Sequence, residues 1–105
     1  MGDIELGKII AERHFRLGDG AGDSTSVRVV LGAPRAQPGG LEWHCPWQIL
    51  GVGNEKIRGA YGVDSFQCLQ LVMMMIGAVL YRFQAEGESL SWNSDQAGDL
   101  GFPHP

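Results

Sequence analysis

Tyr61-Gly62-Val63-Asp64-Ser65-Phe66-Gln67 marks the start of a helix, and the rest of the chain is read outward from it. Asp64 is placed to accept from the backbone N–H of Gln67, and the Gln67 side chain to reach back to the Asp64 N–H. That is a capping box, with Val63 and Cys68 positioned as its hydrophobic staple. The helix so opened is predicted over residues 65–83. Along it Phe66, Leu69, Met73, Ile76, Leu80 and Phe83 recur at spacings of three and four and form one stripe. A second apolar row, Leu71, Val72, Met75 and Val79, flanks the first. Together they are more apolar surface than one helix needs to cover a small sheet, so the excess must be covered by the tail or by a second subunit.

Upstream of the helix the period changes from helical to alternating. Leu41, Trp43, Cys45, Trp47 and Ile49 are odd-numbered and apolar, which predicts a strand with one buried face. Pro46 lacks an N–H, so this strand is expected at an edge or bulged. Residues 51–55 turn the chain into a short strand over residues 56–61. Val27, Val29 and Leu31 mark another strand, which ends in an irregular loop at residues 33–40, where Pro34 and Pro38 remove ladder donors. Residues 8–17 alternate as well, with Ile9, Ala11, Phe15 and Leu17 on one side and Arg13 interrupting it. A glycine-rich connection at residues 18–24 suits a hairpin. The predicted fold is α+β: a four-stranded antiparallel meander, then one long helix packed on one face, β-β-β-β-α.

Composition bounds the rest. A chain of 105 residues with 44% apolar content suits one domain with one core. Its 16 glycines, about twice average usage, favour turns over a helical bundle. Residues 1–84 hold eight acids and eight bases, whereas residues 85–105 hold Glu86, Glu88, Asp95 and Asp99 and no base. The division is therefore a domain over residues 1–84 and an acidic, glycine- and serine-containing tail over 85–105, packed on the domain or on a partner. No basic stripe offsets the acidic tail, which argues against nucleic acid. The N-terminus is no signal peptide, and the apolar run at residues 71–81 is shorter than a membrane span, so a soluble, cytoplasmic protein is expected. Two cysteines in apolar sequence, Cys45 and Cys68, are expected as reduced, buried thiols.

Cys45-Pro46-Trp47-Gln48-Ile49, the glycine turn, and residues 58–71 together resemble a family of small bacterial proteins of unknown function. Its marks are a C-P-[aromatic]-Q-I strand and a G-V-D-S-x-Q-A-L helix start. The resemblance covers residues 27–81 and leaves the tail outside. It departs at Cys68, where the pattern has alanine, so no shared role for that thiol is implied. It implies a bacterial origin and no activity.

The candidate chemistry is thin. Neighbouring His44 and Cys45 point to opposite faces of a strand, and a thiol between Trp43 and Trp47 is silenced by burial. A base from elsewhere, such as His14, is needed for any Cys45 nucleophile. His14, His44, Cys45, Cys68 and His104 show no metal-ligand spacing, and no metal or cofactor is expected. Asp64 reads as a cap before an anion site with Arg58, because a carboxylate at the cap opposes anions. Met73 and Met75 suit the core, as do Trp43 and Trp47.

The expectation is a non-enzymatic interaction or accessory module, immunity-like by analogy, that binds a protein partner or itself as a homodimer, without nucleic acid or membrane. Its binding residues are expected in the tail (Trp92, Asp95, Asp99, Phe102) and on an outer helix row (Gln67, Gln70, Met74, Tyr81). The alternative is a small-molecule pocket between sheet and helix, with weak hydrolytic chemistry from Cys45 and His14.

Overall fold

The structure, a computed structural model, describes residues 4–18, 24–92 and 99–103. Its elements in chain order are β1 (Ile9–Gly18), β2 (Ser24–Gly32), β3 (Arg35–Ala36), β4 (Trp43–Leu50), β5 (Arg58–Gly62), α1 (Ser65–Ala85) and β6 (Ser89–Ser91). The fold is α+β, an antiparallel sheet with one long helix, but the described strands number six where the sequence predicts four.

The two added strands are short, and each has a local cause. β2 and β3 lie along the same edge of β4, with Leu31 opposite Trp47 and Arg35 opposite His44. Between them, Ala33 and Pro34 leave the ladder, so β3 is β2 resumed after a break. The sequence reading had placed those residues in an irregular loop. β6 pairs with the C-terminal end of β1, Leu17 opposite Leu90, so the start of the tail extends the sheet.

β4 is an interior strand, flanked by β2 and β3 on one edge and β5 on the other. For Pro46 the expected sheet edge is thus corrected, while the expected bulge has its counterpart in the facing chain, where residues 32–34 stand opposite residues 45 and 46. Pro46 lies opposite the interruption between β2 and β3, where a missing N–H costs no ladder bond. The Cys45 thiol donates to the Gly32 carbonyl at 3.2 Å in the same gap.

Alternation on β4 and β2 sends Val27, Val29, Leu31, Cys45, Trp47 and Ile49 into one layer, all buried. α1 lies across it and contributes Cys68, Val72, Ile76 and Leu80, a row spaced by four residues. Leu90 and Leu100 complete the core. At the helix start, Asp64 is extended (φ −151°) and its Oδ1 accepts from Gln67 N at 2.8 Å, as the sequence predicts. Two details differ. The Gln67 side chain accepts from Val63 N at 2.7 Å, one residue earlier than a capping box requires. Val63 is 70% exposed, so the staple is not packed.

The buried helix stripe is also rotated from the predicted one. Phe66 is 76% exposed, while Gly77 and Tyr81 are buried. The sheet covers the helix's first turns along Cys68 and Val72. Toward the C-terminal end the tail covers a second flank, and a Cβ on Gly77 would collide with the Pro103 carbonyl. By length and composition α1 (21 residues, mean hydropathy 1.5) is long and apolar enough to cross a membrane, although the run at residues 71–81 alone is not. Here it is docked on the sheet, yet only 33% of its most apolar stretch is buried.

Candidate functional site

Arg13 sits on the apolar face of β1, between Ala11 and Phe15, where the sequence pattern shows an interruption. Its guanidinium lies 4.0 Å from the Trp92 ring centre and 4.9 Å from that of Phe102, and Nη1 donates to the Gly101 carbonyl at 2.9 Å. The rings supply negative faces to the cation. Gly101 has φ +77°, and a Cβ there would collide with both Trp92 and Arg13. Phe102 packs on Phe15 with centroids 6.3 Å apart. The Tyr81 hydroxyl holds the tail from the helix side, accepting from Leu100 N at 3.0 Å. Arg13 and Tyr81 thus fix residues 100–102 across the gap between helix and sheet.

Beneath that strap is a cleft of about 170 Å³. Ala11, Val29 and Leu31 form its floor, Met73 and Ile76 its helix wall, and residues 101–103 its roof. Glu12 and Arg13 stand at its side.

The predicted binding residues separate into distinct places. Trp92 and Phe102 meet at Arg13. Asp99 is exposed and closes a local turn, accepting from Gly101 N at 2.8 Å. Asp95 lies outside the described residues. Gln67, Gln70 and Met74 are exposed on the outward side of α1. Tyr81 does not join them: it is buried beneath the tail and belongs to the strap, a correction to the outer row read from the sequence. The shift follows from the tail's packing, which turns that flank of the helix inward.

The Cys45 and His14 pairing is not assembled. Cys45 faces the core, whereas His14 lies on the opposite face of the sheet, 2.7 Å from the Glu12 carboxylate. Burial, with Cys68 nearby, pushes the Cys45 thiol up to about 11. On the outer face Glu12 also pairs with Arg28, whose hydrogen bond holds the carboxyl below its ordinary range. His44 accepts on Nδ1 from the Gln37 amide at 2.9 Å and stacks on Tyr61. Burial, then the charge of Arg35, lowers its pKa and favours the neutral ring. Among the described residues no three His, Cys, Asp or Glu side chains converge on a metal position, and His104 lies outside them.

Residues 11–104 match the family described as Domain of unknown function (DUF6968). The chain belongs to that family. The match runs through the tail, beyond the 27–81 span carried by the sequence resemblance, and so takes in Arg13, Trp92 and Phe102 together. No curated protein and no solved structure matches the chain.

Arg13 is the residue of this candidate site that the sequence reading does not single out. Its signal was present: a cation on an otherwise apolar strand face requires a carboxylate or an aromatic face to receive it.

Proposed function

We propose that this DUF6968 domain is a non-enzymatic interaction module that works through the outward face of α1, and that its partner there is a second copy of the chain. The supporting observation is a face without charge. From residue 65 to 81 the helix carries no Asp, Glu, Lys or Arg, yet Phe66 is 76%, Met74 60% and Met75 38% exposed. A surface helix ordinarily turns charged residues to solvent. At 3.6 residues per turn, Phe66, Gln70, Met74 and Ala78 form one exposed line about 18 Å long. A neutral face has no charge that a partner must match, so it is complementary to itself about a twofold axis. Gln67 and Gln70 supply amides that donate and accept equally well across such an axis.

The resemblance adds a bacterial setting to this reading, composition adds a cytoplasmic one, and an accessory or immunity-like role is drawn by analogy with other small acidic domains. The acidic balance supports no nucleic-acid partner, and docking of α1 on the sheet supports no membrane.

Sedimentation velocity across micromolar to millimolar protein tests the reading. The wild-type chain should show a concentration-dependent dimer, and Phe66→Glu with Met74→Glu should be a folded monomer by circular dichroism. A wild-type chain that stays monomeric throughout, or a dimer indifferent to both substitutions, would overturn it.

A further inference from the structure

We propose that the cleft beneath the tail is a binding site for a small apolar carboxylate, whose hydrocarbon part fills the cleft and whose anionic group pairs with Arg13. The site is separate from the outward face of α1, because Met73 and Ile76 lie on the sheet-facing flank and Met74 does not.

Size comes first. A volume of about 170 Å³ slightly exceeds the ~150 Å³ apolar cavity that takes up benzene. The floor and helix wall present only hydrocarbon and one thioether, so they recognise an aryl ring or a short alkyl chain.

Charge fixes the other end of the ligand. Arg13 is half-buried, and among the described residues no carboxylate pairs with it. A guanidinium has five N–H donors in a rigid fork, and the Gly101 carbonyl takes one. Trp92 and Phe102 hold its plane, so the rest of the fork is oriented before a ligand arrives. Glu12, the next residue along β1, also lines the cleft, but its carboxylate is taken by Arg28 and His14 on the other face of the strand. A ligand carboxylate at Arg13 therefore meets a cation that no acid among the described residues already holds.

Residues 101–103 are both roof and gate. Arg13 and Tyr81 tether them over the cleft, together with the packing of Leu100 and Phe102, so a ligand carboxylate on Arg13 would also tighten the strap.

The probes are phenylacetate and hexanoate, each against its neutral amide, titrated into the uniformly ¹⁵N-labelled chain. The acids should shift the amide signals of Ala11, Val29 and Gly101, with affinity at least about tenfold above the matched amides. Arg13→Lys should shrink that ratio by losing the fork. Arg13 variants risk loosening the tail, so Ala11→Phe serves as the second variant: it fills the floor, suits a strand, and should abolish binding while the spectrum stays folded. Equal affinity for acid and amide overturns the assignment. So does binding that survives Ala11→Phe, or the absence of any shift at millimolar acid.

Discussion

The Cys45 thiol points into the layer that holds Trp43 and Trp47, donates to the Gly32 carbonyl, and is fully buried. Burial is the main cause that lifts its pKa to about 11, with the neighbouring Cys68 adding to it. In the unfolded chain the same thiol titrates near 8.5. Between about pH 9 and 11 the folded state therefore retains a proton that the unfolded state has lost, and stability must fall as pH rises through that window. At its steepest the loss is about 1.4 kcal/mol per pH unit for one such group. Urea midpoints measured across the window for the wild-type chain and Cys45→Ala give the comparison. The variant starts less stable but should decline less steeply, and parallel declines would mean that the thiol is not shifted. The other ionisable groups, Cys68 among them, are present in both proteins, so the difference in slope reports Cys45 together with its coupling to Cys68.

Within α1, Gly77 sets helix propensity against packing. Alanine is favoured over glycine in a helix interior by about 1 kcal/mol, so Gly77→Ala on a solvent-facing helix would stabilise. Here the added Cβ would collide with the Pro103 carbonyl and press on Phe102. Gly77→Ala should be destabilising by about 1–3 kcal/mol, and thermal unfolding decides it: a raised midpoint would show that the tail does not rest on this turn. The same crossing explains what was legible in the sequence. β1, β2, β4, β5 and α1 were readable because alternation, a cap or, for β5, the glycine turn before it marks each of them locally. β3 was not, since two residues between two prolines carry no period, and the pairing depends on His44 and Trp43 across the gap. β6 was hidden for a similar reason, as Ser89-Leu90-Ser91 alternates too briefly to stand out. The stripe on α1 was misplaced at Phe66 and Tyr81 because a period reports that one flank is buried, not that a distant tail buries another. For the candidate site, Trp92 and Phe102 were legible as aromatics in a polar tail, whereas Arg13 was visible only as a flaw in an apolar face.

At the scale of the molecule, the described tail is a structural part of the domain. Leu90 is 4% exposed and Leu100 fully buried, and both share the core with Phe15 and Leu80. Truncating a buried leucine to alanine removes its transfer free energy and leaves a cavity, for a loss of about 2–5 kcal/mol. Leu100→Ala should therefore cost as much as a substitution in the central sheet, despite lying within six residues of the end of the sequence. Phe66→Ala is the contrast, because it deletes a larger side chain that is 76% exposed. Measured at a concentration where the chain is monomeric, its cost should stay within about 0.5 kcal/mol. If the order is reversed, with Phe66→Ala the more damaging, the tail is not part of the core and the cleft has no fixed roof. If the expected order holds, Leu100→Ala should also release the strap. Hydrogen exchange at Gly101 and Leu100 would then speed up ahead of exchange in β4, because the anchoring of Leu100 N to Tyr81 depends on a side chain that no longer fills its place.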